Sequence, residues 1–212
     1  YDEAWMLMNQ ALDIAIQIDS KKQIVACHKQ LYYLCREFKR MMNERGDEQA
    51  STLFFRESLL HEMYFSEKPR LAELTVRYEA LRCDIMQQYY MNKDYDNVIR
   101  IATSLDFHDD TDLNASCLVY YYKAQAYVKL ENYPMAKEAF FREFELRKKY
   151  LGWEDEDTIL ACQNLGVLHS FCNEREEALA CFREAYGHEV KKNGEDSEMA
   201  QKLLQYISVV ES

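Results

Sequence analysis

The amino-acid sequence predicts an all-α protein, a right-handed superhelical solenoid of antiparallel helix hairpins. Three observations predict it. Apolar and small residues recur at the 3-and-4 spacing of amphipathic helices, at Cys162, Leu165, Gly166 and His169 and again at Ala178, Phe182 and Ala185. The pattern returns at a period of 42 residues: Ala136 and Phe140 stand before Ala178 and Phe182 as Gly152 stands before Gly194. Finally, the 212 residues include only 5 Gly and 2 Pro, with few β-branched runs, which leaves little from which to build a sheet.

The segment from Leu151 to Gly194 shows the unit most clearly. Its two helical patterns are separated only by Asn173-Glu174-Arg175-Glu176, so the helices must fold back on each other as a hairpin. Gly166 faces the small residues of the second helix, where a missing side chain lets the backbones approach. One such hairpin cannot bury its apolar faces alone and requires stacked copies.

The preceding copy spans about 115–150. Tyr120, Ala124 and Tyr127 match Cys162, Gly166 and His169, and Pro134 suits the first turn of the second helix, where an N–H is not needed. Glu143 stands where a small residue is expected. Before that, Val98, Ala102 and Leu105 form a second helix whose partner carries Arg82, Met86 and Tyr89, with Asn92-Lys93-Asp94 as the turn. The polar run Phe107 to Asp112 reads as a loop with an Asp available to cap the next helix.

Earlier still, Ala50 and Phe54 follow Gly46-Asp47, and the helix before them is apolar at Val25, Leu31, Leu34, Cys35 and Phe38. Ser66-Glu67-Lys68-Pro69 ends that unit, since a residue before proline resists the helical region. Ala4, Met8 and Ala11 read as the second helix of a first, incomplete unit. At the other end, Met199 to Val210 forms a closing helix with Leu203, Leu204, Ile207 and Val210 inward. The organisation is thus one solenoid over 1–212, with units at 1–20 (partial), 21–65, 70–106, 115–150 and 157–192 and a closing helix at 197–212. Because the first residue is Tyr1, the chain reads as part of something longer.

Asn164-Leu165-Gly166 and Ala178-x3-Phe182-x2-Ala185 resemble the tetratricopeptide repeat (TPR), which carries Leu-Gly and an aromatic in its first helix and Ala, an aromatic and Ala in its second. Cys162, His169 and Asn173 depart from the pattern at the bulky, aromatic and turn-glycine positions. The longer period and the Leu-Gly loop at Leu151-Gly152 resemble the repeats of kinesin light chains, though neither loop carries the His-Pro usual there. The run Ala11 to Ala15 with Asp19-Ser20-Lys21-Lys22 is similar to repeats common in bacterial signalling and regulatory proteins.

Composition excludes several functions. A net charge of −11 disfavours nucleic acid, whose phosphates need a basic face, and an anionic membrane surface. No apolar run approaches the roughly 20 residues of a spanning helix, and no signal peptide opens the chain. The seven cysteines include no C-x-x-C and no paired His at zinc-ligand spacing, so they read as small core hydrophobes in a reducing, cytoplasmic setting, with no metal and no cofactor. Cys27 and His28 are adjacent and therefore point about 100° apart on a helix, too far for a thiol–base pair. Motifs for phosphate loops, G-x-S-x-G and H-E-x-x-H are absent, so no enzyme is expected. The acidic runs Asp109 to Asp112 and Glu154 to Asp157 lack a calcium-loop frame and read as solvated acids at helix N-termini.

What remains is a binding surface. The TPR resemblance implies that first helices line a concave face, and that Asn164 matches an asparagine that bonds a bound peptide's backbone. The equivalent place one unit back is Tyr122. Neighbouring positions on the same faces are Gln87 and Gln125, with Tyr121 and Gln163 one turn before and Lys129 near a helix end. Amides and tyrosines there would form an adaptable, moderately polar peptide-binding strip. The expected function is a protein- or peptide-binding scaffold whose partner carries some Lys or Arg. The alternative is a peptide-sensing regulatory domain that controls an output domain elsewhere in a longer chain.

Overall fold

The computed structural model describes residues 2–67, 78–103 and 113–212, and every regular element among them is an α-helix. In chain order these are α1 (Asp2–Gln17), α2 (Lys21–Glu44), α3 (Glu48–Glu62), α4 (Tyr78–Met91), α5 (Tyr95–Thr103), α6 (Leu113–Lys129), α7 (Tyr133–Tyr150), α8 (Glu156–Phe171), α9 (Arg175–Asn193) and α10 (Glu198–Glu211). Pro69, the start of the expected 70–106 unit and the loop from Phe107 to Asp112 lie outside the described residues. Among the described residues, no helix is long and apolar enough to cross a membrane.

Local chemistry sets the helix ends. Asp47, Asn132, Asp155 and Ser197 each accept the backbone N–H three residues on through the side chain, starting α3, α7, α8 and α10. Such a cap contributes about 1 kcal/mol. Pro134 sits in the first turn of α7, as its missing N–H allows. The turns use left-handed residues: Glu131 (φ 58°) and Asn173 (φ 59°) hold the α6–α7 and α8–α9 connections. There the N–H of Asn132 reaches back to the Tyr127 carbonyl and that of Glu174 to the His169 carbonyl, both at 2.9 Å, which satisfies carbonyls the ending helix would otherwise leave open.

The helices pack into two compact units, residues 1–92 and 93–212. In the N-terminal unit α2 and α3 form an antiparallel hairpin with α1 against α2 and α4 against α3. The hairpin register sets Phe38 beside Phe54 with ring centroids 5.0 Å apart, and both take the edge of Trp5. The inward stripe of α2 is His28, Leu31, Cys35 and Phe38. The expected Val25 is exposed instead, and its neighbour Ile24, one turn before His28, is half-buried at the start of that stripe. On α1 the buried residues are Asn9, Leu12 and Ala15, with Trp5 and Met8 half-buried, while Ala4 is exposed. The larger side chains claim the face there, one position round the helix from the alanine-based reading.

In the C-terminal unit α6 and α7, then α8 and α9, form the two expected hairpins, and α10 packs on α9. One core runs through it, from Ala124 and Tyr127 through Ala136, Phe140 and Leu165 to Ala178, Phe182, Ala185 and Leu203. Gly166 meets Phe182 here, and any side chain at 166 would overlap the ring. Glu143 is buried rather than small, and Arg147 one turn on donates to it at 3.1 Å. The same Arg147 reaches Asp157 at 3.1 Å and so ties the end of α7 to the start of α8. Leu204 is exposed, and the inward face of α10 is Ala200, Leu203, Tyr206, Ile207 and Val210. That face packs chiefly on α9, which turns Leu204 away from the core.

Candidate peptide groove

The residues at the ends of α6 and α8 line a groove of about 320 Å³ in the C-terminal unit. Helix α6 supplies Gln125, Val128 and Lys129, and α8 supplies Asn164, Val167, Leu168 and Phe171. Glu131 of the turn and Tyr133 and Phe140 of α7 complete it. Val167 and Phe171 also border a second concavity of about 440 Å³, whose other wall is Tyr206, Val209 and Val210 of α10. The two concavities meet at Phe171, and together they make one strip across α6, α8 and α10.

The strip is apolar at its centre and polar along its first wall. Phe171 keeps 67% of its surface exposed and Val209 keeps 71%, while Tyr133 leans on the Phe171 ring at 5.3 Å. Large side chains held this open by a rigid scaffold are what an interaction surface offers. Asn164 and Gln125 line the groove with amide-bearing side chains, and no side chain among the described residues hydrogen-bonds them. An amide both donates and accepts, which matches the alternating groups of a peptide backbone.

Three of the seven residues expected for binding, Gln125, Asn164 and Lys129, therefore come together here. Tyr121 and Tyr122 stand aside, half-buried, with Tyr121 packed edge-on against Phe140 at 6.3 Å and against Tyr122 at 5.5 Å. Gln163 is a correction, since it is buried and its Oε1 accepts no hydrogen bond. Helix α8 is flanked by both α7 and α9, so its buried arc is wide and takes in Gln163 beside Cys162. Gln87 is exposed on α4, in the N-terminal unit. Sequence spacing did not single out Tyr133 or the α10 wall, because they reach the strip from second helices and from the next unit. Aromatic residues next to Pro134 and an apolar α10 were the available signals.

The scaffold under the groove is fastened by charge. In the α8–α9 turn, Glu174 accepts from His169 at 2.6 Å and also pairs with Lys137 of α7. These two hydrogen bonds, Lys137 first, hold the Glu174 carboxyl below its ordinary range. His169 thus joins helices, as its aromatic-slot position suggests. A further concavity of about 590 Å³ between α6 and α7 is lined by Lys123, Arg142 and Lys149 against Glu138 and Glu145, with the Lys123 amine pulled down by burial. Its opposed charges largely neutralise one another, and it holds none of the expected residues.

No family model matches this chain, and no curated protein does. Among solved structures, the chain is similar to the crystal structure of BtubC (BKLC) from P. vanneervenii, with a TM-score of 0.57, 14% identity, and coverage of 99% of this chain and 82% of that one. At so low an identity the likeness speaks to the fold. The fold is an all-α helical repeat of TPR-like hairpins.

Proposed function

We propose that the protein is a peptide- or protein-binding scaffold that takes an extended segment along the α6–α8–α10 strip. The observation that carries this reading is the meeting of Asn164 and Gln125 with the exposed Phe171 and Val167 in one groove. Asn164 bonds the ligand backbone, Phe171 packs on an apolar side chain, and the net charge of −11 favours a ligand carrying Lys or Arg by speeding encounter. The buried Ala136 and Ala178, 42 residues apart, support reading the C-terminal hairpins as repeats of the kinesin-light-chain kind. A cytoplasmic setting without catalysis belongs to the same proposal.

The test is selection of displayed random peptides on the whole chain, followed by titration of the best synthetic peptide. Enriched peptides whose affinity falls in Asn164→Ala and Phe171→Ala support the reading. Failure to enrich any peptide, or binding unaffected by both substitutions, overturns it.

A further inference from the structure

The N-terminal unit holds a group of side chains with a different chemistry. Helix α3 is buried over its whole last turn and a half, from Glu57 to Glu62, and that stretch includes Glu57 and His61. These two are four residues apart and share one face of the helix. The α2–α3 register sets Cys35 opposite them, and one ligand atom each from Cys35, Glu57 and His61 lie within 4.8 Å of one another. All three residues are buried, Cys35 and Glu57 completely. The expectation of no metal rested on local motifs, and this group comes from two helices, with Glu57 standing 22 positions after Cys35.

We propose that Cys35, Glu57 and His61 bind a single zinc ion in the core of the N-terminal unit. A thiolate, a carboxylate and an imidazole are the donor set that borderline Zn²⁺ takes, whereas calcium and magnesium take oxygens. Bonds of roughly 2.0–2.3 Å put tetrahedral ligands roughly 3.3–3.8 Å apart. His61 Nε2 and Glu57 Oε1 are 3.9 Å apart, so an ion between them needs only a small contraction. A dication meets one thiolate and one carboxylate, so the ion with its three ligands carries no net charge. On binding, Cys35 gives up its thiol proton to solvent and the S–Zn bond forms in its place. The fourth position is left to water.

The surroundings orient these donors as outer-shell partners do. Nδ1 of His28 is 2.9 Å from Nδ1 of His61. With His61 donating there, its Nε2 carries the lone pair that faces Glu57. His28 is itself held by stacking on Tyr64 at 3.7 Å between centroids. Tyr89 of α4 donates to Glu57 Oε2 at 2.5 Å, and Oε1 is the oxygen on the side of His61 Nε2. The ion would thus clamp α2 to α3, with α4 engaged through Tyr89.

The experiment uses the full chain, stripped with a chelator and desalted, then titrated with zinc chloride against a chromogenic competitor and separately with cobalt chloride. One equivalent of zinc should bind, and the cobalt form should show a thiolate-to-metal charge-transfer band with intense tetrahedral visible bands. Zinc should also raise the melting temperature, since it binds the folded state. Cys35→Ser and His61→Ala should lose the equivalent, Tyr89→Phe should weaken it roughly 10- to 100-fold, and Cys117→Ser, in the other unit, should keep it. Absence of a bound equivalent, a cobalt spectrum without the thiolate band, or full binding by Cys35→Ser would each overturn the proposal. The cobalt spectrum of the unsubstituted chain decides the matter even where a variant does not fold.

Discussion

The ring of Phe182 lies where a side chain on Gly166 would have to go: a Cβ built there falls 2.8 Å from Cε1 and 3.0 Å from the Cβ of Cys181. Phe182 cannot retreat, since it is buried and stacked on Tyr206 at 5.1 Å. In an open helix, alanine for glycine would stabilise by about 1 kcal/mol through propensity. Here overpacking costs about 1–3 kcal/mol. Gly166→Ala should therefore destabilise the chain in urea unfolding, and a gain in midpoint would show that the α8–α9 contact is looser than described.

Glu143 gives the fold a pH dependence of unusual sign. Burial raises its carboxyl from 4.5 to about 7 against the opposing pull of Arg147. The folded state therefore holds this proton more tightly than the unfolded chain does. Stability from this group is full below about pH 4.5, falls as pH rises towards 7, and is level above that. The expected fall is on the order of 3 kcal/mol. Glu143→Gln keeps the size and removes the titration, so its stability should change less across that window. Equal slopes for the two proteins would refute the assignment.

The turn before α7 holds a residue that suits its conformation poorly. Glu131 adopts φ 58° at a cost of about 1 kcal/mol, whereas asparagine, as at Asn173, tolerates the left-handed region better. Glu131→Gly should raise stability by up to about 1 kcal/mol, and Asn173→Gly by less. Thermal melts of the two variants side by side check the order.

Binding and folding should separate at the groove. Asn164→Ala should weaken a selected peptide by about 1–3 kcal/mol, because truncation leaves the ligand's backbone groups unpaired. Its melting should shift by less than about 0.5 kcal/mol, and Phe171→Ala, largely exposed, should behave alike. Rising salt should lower affinity if charge steers the partner. Calorimetry at two ionic strengths, paired with melts, measures all three effects.

These outcomes rest unevenly on what the sequence displayed. Gly166, Ala178, Phe182 and their counterparts Ala136 and Phe140 were legible because size and spacing state a close helix contact directly. Asn164, Gln125 and Lys129 were legible as neighbours on first-helix faces. Gln163 was not, because periodicity describes one hairpin and cannot see a helix pressed from two sides. Val25 reads as core in the sequence although it is exposed, while the buried His28 carries no pattern that marks it as inward. The grouping of Cys35, Glu57 and His61 depends on the register between two long helices, which a one-dimensional pattern leaves open by a full turn.

The chain has two tryptophans, and one falls in each compact unit. Trp5 lies against Phe38 and Phe54, while Trp153 lies between Phe144 and a parallel His188 ring 4.1 Å away. Each unit thus carries its own single indole in a distinct setting, the second stacked on an imidazole. Replacing either indole by phenylalanine leaves emission that reports on one unit alone. Two denaturation curves recorded in that way would coincide only if the units unfold as one cooperative body.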